Sequence, residues 1–331
     1  MNIQKEKADS IKERYDQIIH ELSKAIVGQE LLIKHLFICL LCGGHALIEG
    51  VPGLGKTMIV KSLSKILDLH YSRIQFTPDL MPADILGTNI VKEDEKGSRY
   101  FEFFKGPIFG QLILADEINR ASPKTQSALL EAMQEERVTV FGTEYILFPP
   151  FMVMATQNPI EMEGTYPLPE AQIDRFFFKL KISYPNQEQL REIINKTTED
   201  EQPELRHIIS ADQVIEMKQL IKNVPIATHV KDYAIRLVMA THPGSQFAID
   251  KTNTFILFGA SPRGVQSLVL AGKVLALLEG RYNVSTEDIK AVAKPALRHR
   301  VVFNIKGEAE GLDEDELVEE IIDSVPVKVR S

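Results

Sequence analysis

The sequence predicts a two-part α/β protein, in which a core with a parallel sheet is followed by an all-helical domain. Two observations carry this prediction. Short apolar runs alternate with helical patterns through the first half, as is typical of a three-layer αβα core with a buried parallel sheet. After a hinge at residues 184–186 the pattern changes to helices only, except at residues 302–311, which are expected to be irregular or a short hairpin. We therefore expect a core at residues 1–185 and a helical lid at residues 186–331.

Composition limits the class of protein before any motif is considered. The chain has 331 residues, of which 44% are hydrophobic, and a formal net charge of −8. No window approaches the roughly 18 apolar residues of a membrane span. The charged residues 1–7 lack the apolar core of a signal peptide, so a cytoplasmic location is expected. The negative charge argues against a domain-wide basic surface for binding nucleic acid. It does not exclude a pore whose lining is locally basic.

The first chemical motif is GVPGLGKT at residues 50–57, which matches the phosphate-binding loop G-x-x-x-x-G-K-[ST]. A short apolar strand at 45–49 precedes it and an amphipathic helix at 58–67 follows, which is the context that this loop requires. Its glycines let backbone N–H groups turn toward phosphate oxygens, next to the positive end of the helix dipole. The sequence thus predicts a nucleoside triphosphate site in a P-loop NTPase core. The loop residues expected to contact the nucleotide are Pro52, Gly53, Leu54, Gly55, Lys56, Thr57 and Met58.

A second motif is the apolar run at residues 112–117, which ends in Asp116 and Glu117. It predicts a buried parallel strand that delivers carboxylates to its C-terminal end, where α/β proteins bind ligands. We expect Asp116 to hold Mg²⁺ together with Thr57. We expect Glu117 to orient and deprotonate the water that attacks the γ-phosphate.

Two further polar residues are candidates for the same site. Asn158 follows a buried strand at 151–156 and would lie beside the acidic pair if the two strands are neighbours, where it could bind the γ-phosphate or the attacking water. Arg263 stands at the start of a predicted helix, where a cation is poorly matched to the helix dipole. It is therefore expected either to bind a phosphate or to be a solvated arginine.

Three other features have a structural and a functional interpretation. Residues 88–104 and 138–147 predict two β-hairpins inserted into the α/β pattern. The turn at 25–29, upstream of the phosphate loop, could hold an adenine ring or be a plain interhelix turn. Cys39 and Cys42 form a lone C-x-x-C inside an apolar helix and are expected to be buried small hydrophobes, so no protein-ligated metal is predicted.

The chain resembles the AAA+ ATPases and, within them, the MoxR family of the helix-2-insert clade. The resemblance is carried by residues 116–135, 155–159 and 169–176, and it covers roughly residues 20 to 325. It implies ATP hydrolysis by a ring, most often a hexamer, and it equates the two hairpins with the helix-2 and pre-sensor insertions. The roles that it implies are Lys56 and Thr57 in Walker A, Asp116 and Glu117 in Walker B, Asn158 and Arg263 as first and second sensors, Arg175 as the arginine finger for the neighbouring subunit, and Val27 and Gly28 as the adenine-side turn.

The resemblance further implies a chaperone-like ATPase that remodels or activates a partner complex, often with a separate protein bearing a von Willebrand factor A domain. A nucleic-acid motor and a metal-chelatase motor subunit are the alternatives, because related insertions occur in both. Few basic residues in the hairpins argue against the first, and the match at 116–135 argues against the second. Arg120 is a second candidate for an intersubunit contact, with a surface salt bridge as the equal alternative.

Overall fold

The computed structural model describes residues 2–158, 164–198 and 203–327, so that Pro159 of the matched motif at 155–159 lies outside the described residues. The predicted α/β alternation is confirmed as far as the hinge. Its elements are α1 (Asn2–Ser23), α2 (Glu30–Cys42), β1 (Ala46–Glu49), α3 (Lys56–Ile66), β2 (Tyr71–Gln75), α4 (Pro82–Leu86), β3 (Gly87–Glu93), β4 (Arg99–Lys105), β5 (Leu112–Asp116), α5 (Pro123–Glu135), β6 (Arg137–Val140), β7 (Thr143–Ile146), β8 (Met152–Gln157), α6 (Glu170–Ile173) and β9 (Phe178–Lys181).

Within the described residues, five parallel strands form the central sheet in the order β2-β5-β8-β1-β9. The strand that ends in Asp116 therefore lies next to the strand that precedes Asn158, and that strand lies next to the one that leads into the phosphate loop. Parallel strands end at the same edge of a sheet, which brings the three segments together.

Both faces of the three central strands are buried, which explains why β1, β5 and β8 are largely apolar runs. Leu112 and Leu114 belong to one core cluster, and Ile113 and Ala115, which point the other way, belong to the second. The first cluster continues into α1–α3 and into the second half of the chain, so the sheet and the lid share one apolar core.

The two inserted hairpins are confirmed as antiparallel pairs outside the main sheet, β3 with β4 and β6 with β7. They pack against each other, because Phe103 of β4 stacks on Tyr145 of β7 with 4.2 Å between ring centroids. The insertions thus form one aromatic-linked unit on the α5 side of the sheet.

The second half is largely helical, but its two strands form a ribbon between distant segments instead of a short hairpin within residues 302–311. Ile256–Phe258 and Val302–Phe303 pair as a two-stranded antiparallel ribbon. Strands of two and three residues are too short to show an alternating pattern. The elements are α7 (Gln187–Thr198), α8 (Ala211–Lys222), α9 (Thr228–Ala240), α10 (Asp250–Phe255), β10 (Ile256–Phe258), α11 (Pro262–Leu278), α12 (Thr286–Leu297), β11 (Val302–Phe303), α13 (Ile305–Ala309) and α14 (Glu314–Ser324).

Cys39 packs as the apolar pattern predicts, and Cys42, which was also expected to be buried, does so only in part. Cys39 is buried in the core, Cys42 is half-buried, and both are free thiols. Burial raises the pKa of each thiol above its usual range, which favours the protonated form of both. Across the described part of the chain, no helix has the length and apolar character needed to cross a bilayer.

Candidate functional site

The phosphate-binding loop connects the end of β1 to the start of α3. Gly53 and Gly55 have φ angles of +86° and +76°, a left-handed backbone conformation that residues with a Cβ disfavour. A Cβ at either position would meet nothing within 4 Å. The backbone conformation therefore requires glycine here, and the space beside both residues is open, as a loop that wraps a phosphate needs.

Lys56, the first residue of α3, contacts the first residue of the phosphate-binding loop. Its Nζ donates a hydrogen bond of 2.7 Å to the carbonyl oxygen of Gly50. Burial lowers the pKa of Lys56, and the nearby carboxylates of Asp116 and Glu117 partly offset this by raising it. The ammonium group thus has one replaceable carbonyl partner and lies within the field of the acidic pair.

Asp116 is held by the two strands that flank β5. Its Oδ1 accepts a hydrogen bond of 2.6 Å from the Thr156 hydroxyl of β8, and its Oδ2 accepts one of 2.8 Å from Arg73 Nη2 of β2. The Asp116 side chain is 15% exposed and is therefore a partly buried carboxylate that already faces a cation.

These residues fit a Mg²⁺ ion that is bound together with phosphates. Mg²⁺ usually takes one or two carboxylates, with phosphate oxygens and waters completing its shell. Thr57 offers a hydroxyl on the first turn of α3, and Asp116 offers a carboxylate whose present partner, Arg73, is itself cationic. Among the described residues, no group of three or more His, Cys, Asp or Glu side chains could hold a metal by itself.

Glu117 follows Asp116 in a backbone conformation that costs energy. Its φ and ψ are 58° and 50°, which is uncommon for a residue with a side chain and costs about 1–2 kcal/mol. Its N–H donates a hydrogen bond of 2.9 Å to the Thr156 hydroxyl, which in turn donates to Asp116. One threonine therefore fixes the direction of both acidic residues.

The Glu117 carboxylate is restrained by two donors on the same oxygen. Gln75 Nε2 and Arg120 Nη1 each donate to Oε2 at 2.9 Å. The salt-bridge alternative for Arg120 is thus present within the chain, and the intersubunit contact stays a prediction.

Asn158 lies where the sequence places it relative to the acidic pair. It directly follows β8, whose last residue, Gln157, pairs with Glu49 of β1, and it is buried. Because β8 lies between β5 and β1, Asn158 stands between the acidic pair and the phosphate loop at the same edge of the sheet. The structure therefore brings together Lys56, Thr57, Asp116, Glu117 and Asn158.

Sequence reasoning missed Arg73, Gln75 and Thr156 at this edge. Arg73 and Gln75 are two residues apart on β2, so both project from the same face, and they contact each other at 2.6 Å. That spacing is a signal, but it acquires meaning only when β2 is known to neighbour β5. Thr156 stands inside a buried strand, where a hydroxyl needs a partner, and the sequence does not identify Asp116 as that partner.

The turn on the predicted adenine side packs against Ser183, shortly after β9, and against α7. Val27 and Gly28 are half-buried, and a Cβ at Gly28 would lie 2.5 Å from Gln189 Nε2. Gln29 donates a hydrogen bond of 3.0 Å to the Ser183 carbonyl. Beside the turn is a cavity of about 310 Å³, lined by residues that include Gln29, Leu31, Leu32, His35, Ser183 and Gln189.

Arg175 and Arg263 lie elsewhere, at the opposite edge of the sheet. Arg175 precedes β9 and lines a cavity of about 300 Å³ with His45, which precedes the parallel strand β1. Arg263 lines the same cavity and pairs with Asp174 at 3.2 Å. The N-terminal ends of β1 and β9 mark the edge away from the phosphate loop. The structure therefore brings the two arginines together but not to Lys56 of the same chain.

Comparison with known proteins adds to this geometry. A family model described as the ATPase family associated with various cellular activities (AAA) matches residues 45–178, and an AAA lid domain model matches residues 251–321. The chain is 40% identical to chaperone MoxR1 of Mycobacterium tuberculosis over 310 residues, which are 94% of this chain and 81% of the relative. It is 32% identical to protein MoxR of Methylorubrum extorquens over 314 residues, 85% of each chain.

Two other similarities extend over nearly the whole length. Protein YeaC of Bacillus subtilis is 41% identical over 315 residues, 94% of each chain. A crystal structure from Cytophaga hutchinsonii, of a protein inferred to be an ATPase, superposes with a TM-score of 0.92 at 42% identity and covers 98% of each chain. The similarity therefore includes the phosphate loop, the acidic pair and the lid.

Proposed function

This chain belongs to the MoxR family of AAA+ ATPases, and from that premise we propose that it hydrolyses ATP to ADP and phosphate. The observation that supports this most directly is the shared sheet edge, where the phosphate loop, Asn158 and the Asp116–Glu117 pair follow three neighbouring parallel strands. A carboxylate directly after the metal carboxylate suits hydrolysis by an activated water.

The roles follow from the contacts in the ligand-free chain. Lys56 exchanges the Gly50 carbonyl for the β- and γ-phosphates, while the loop amides and the N-terminus of α3 bind phosphate oxygens. Thr57 and Asp116 hold Mg²⁺, which neutralises phosphate charge when bound. Glu117 leaves Gln75 and Arg120 to accept the proton of the attacking water, and Asn158 orients that water or the γ-phosphate.

The adenine ring is assigned to the cavity beside Val27 and Gly28. The cavity combines apolar side chains, Leu31 and Leu32, with polar groups that can bind ring nitrogens. Burial lowers the pKa of His35 to about 4, so its imidazole is neutral there and can contact an uncharged base. This assignment favours the nucleotide interpretation of the turn at 25–29.

Arg175 and Arg263 act on the ATP of a neighbouring subunit. Both lie at the edge of the sheet away from their own phosphate loop, yet they are adjacent through Asp174 and line one cavity. A guanidinium supplied by a neighbour stabilises the charge on the transferring phosphoryl group. Hydrolysis therefore requires assembly, and we propose a ring, most often a hexamer.

The work done with ATP is the remodelling or activation of a partner protein complex, with a von Willebrand factor A domain protein as the expected partner. The relatives named chaperone MoxR1 and MoxR support the chaperone-like class. The hairpin charges do not favour a nucleic-acid motor, because Lys92 pairs with Glu102 and Arg99 pairs with Glu93. Those cations are neutralised where a phosphate backbone would need them free.

A trapping experiment tests this function. The Glu117→Gln variant should bind ATP without hydrolysing it and remain on its client, whereas Lys56→Ala should bind neither and serves as the matched control. Proteins that copurify with the first variant and not the second are then identified from cell extract. A von Willebrand factor A protein or an immature enzyme complex supports the proposal. DNA with replication or repair proteins contradicts it and favours the motor.

A further inference from the structure

Asp174, the residue directly before Arg175, connects the core to the lid. It follows α6, and its carboxylate accepts hydrogen bonds from the Ser261 hydroxyl at 2.9 and 3.0 Å. Arg300 Nε donates to Oδ1 at 2.9 Å, and Arg263 Nη1 donates to Oδ2 at 3.2 Å. Three lid residues therefore converge on one carboxylate of the core.

Arg300 is the strongest of these partners because it is buried. Its side chain is 2% exposed, and besides Asp174 it donates to the backbone carbonyls of Phe176 at 2.8 Å and Phe177 at 3.2 Å. Burial lowers the pKa of Arg300 to about 10, and Asp174 offsets part of this effect. A buried guanidinium requires a counter-charge, so Asp174 cannot be lost without leaving Arg300 unpaired.

The backbone on both sides of Arg175 is thus held in place by hydrogen bonds to the lid. The carboxylate before it and the carbonyls after it are held by the lid, while its own Nη1 donates a hydrogen bond of 3.4 Å to the Leu130 carbonyl of α5. The Arg175 side chain lines a cavity with Arg263 and Gln266, both of which lie on α11. The position of the Arg175 backbone is therefore set by the lid rather than by the sheet alone.

We propose that Asp174 is a positioning residue, through which the lid sets Arg175 at the angle needed to reach the ATP of the neighbouring subunit. This inference rests on the proposed function, because it assumes that Arg175 acts on a neighbour. It assigns a task to Asp174, Ser261 and Arg300, to which the proposed function gives no role at the nucleotide.

The inference predicts a loss of turnover with little loss of binding. In Asp174→Asn, kcat should fall about 10- to 100-fold, since misplacing a catalytic group by about 1 Å can cost about 10²-fold. The KM for ATP should stay within about threefold, because the phosphate loop of each subunit is untouched. The matched control is Glu170→Gln, a carboxylate exposed at the start of α6, which should keep normal turnover.

Subunit mixing separates positioning from simple structural damage. Asp174→Asn subunits keep their own phosphate loop, and Lys56→Ala subunits keep an intact Asp174–Arg175 segment. When equal amounts are mixed, an Asp174→Asn subunit beside a Lys56→Ala neighbour should regain turnover, so the mixture should be at least about threefold more active than either variant alone. No gain on mixing overturns the inference, because the defect then lies in the variant's own site.

A parallel mixture distinguishes a failure of the trans-acting role of Arg175 from a failure of the positioning role of Asp174. Arg175→Ala mixed with Lys56→Ala should also regain turnover. If this mixture gains nothing, the trans-acting arginine of the proposed function is wrong. If it gains and the Asp174→Asn mixture does not, only the positioning role fails.

A second variant keeps the test decisive if Asp174→Asn does not fold, as judged by its melting curve. Arg300→Lys retains the charge but loses the planar fork that holds Asp174 and the carbonyls of Phe176 and Phe177. It should show the same fall in kcat, the same stable KM and the same gain on mixing. Normal turnover in a folded Arg300→Lys ring would overturn the inference.

Discussion

The guanidinium of Arg73 donates a hydrogen bond of 2.8 Å to Oδ2 of Asp116, the carboxylate that we assign to Mg²⁺. If Asp116 holds Mg²⁺ as proposed, the Arg73 side chain and the metal ion would compete for one oxygen. The Arg73 side chain is 46% exposed, so the pair is screened and worth about 0.2–1 kcal/mol.

We therefore expect Arg73→Met to lower the Mg²⁺ concentration for half-maximal turnover by up to about fivefold, which a Mg²⁺ titration at saturating ATP measures. Lys92→Met, which removes a surface ion pair of the first hairpin, is the control and should leave the midpoint unchanged. A higher Mg²⁺ requirement in Arg73→Met would mean that Arg73 aligns Asp116 for the metal instead of competing with it.

Gln75 restrains Glu117 in the same ligand-free arrangement, with 2.9 Å between Gln75 Nε2 and Glu117 Oε2. This bond occupies one of the two carboxylate oxygens and stabilises Glu117 in its ligand-free position. Removing it in Gln75→Ala should raise basal turnover about two- to tenfold, the equivalent of a hydrogen bond of about 0.5–1.5 kcal/mol. Phosphate release without client gives the rate, and Gln219→Ala at an exposed position of α8 is the control. A fall in turnover would show that Gln75 instead holds Glu117 in its productive position.

These contacts also show how far the sequence alone could lead. The phosphate loop and the Asp116–Glu117 pair are contiguous motifs, so the chemistry could be predicted together with the strand that positions it. The partners of that pair come from other strands. Thr156 and Arg73 contact Asp116 only because the sheet order is β2-β5-β8, and no local pattern states that order.

In the lid, too, the sequence predicted local elements but not the contacts between distant residues. Its longer helices were predicted from periodicity, but the short helices α10 and α13 and the ribbon of β10 and β11 were not, because elements this short show no period. Nor could the sequence show that Arg263 would pair with Asp174, a contact between residues 89 positions apart. The motif residues could be named from the sequence, and their grouping at two opposite edges of the sheet required the structure.

Arg175→Ala tests that grouping directly. Because Arg175 lies away from its own phosphate loop, the variant should bind ATP with unchanged affinity. Its turnover should fall by about 10³-fold or more, the usual worth of an arginine finger. Titration with a fluorescent ATP analogue measures the first quantity and phosphate release measures the second. Normal turnover would refute the assignment, and weakened binding would place Arg175 at its own nucleotide.

A last prediction concerns pH and His45, the residue before β1. Its Nδ1 accepts a hydrogen bond of 3.0 Å from the Val153 N–H, and its Nε2 donates one of 2.9 Å to the Met133 carbonyl. Both bonds require a neutral imidazole, and burial lowers the pKa of His45 from 6.5 to about 4. Between pH 6.5 and 4, the His45 imidazole is therefore protonated in the unfolded chain but neutral in the folded chain. The free energy of unfolding consequently falls as the pH drops through this range.

His45→Gln isolates this contribution, because a glutamine amide keeps one acceptor and one donor but does not titrate. Urea unfolding at several pH values should show a slope between about pH 6 and 4.5 that is shallower than in the parent chain by about 1 kcal/mol per pH unit. His229→Gln makes the same chemical change at an exposed position and is the control. Equal slopes in the parent and in His45→Gln would mean that His45 is protonated in the folded chain. Its Nδ1 could then no longer accept the hydrogen bond from the Val153 N–H.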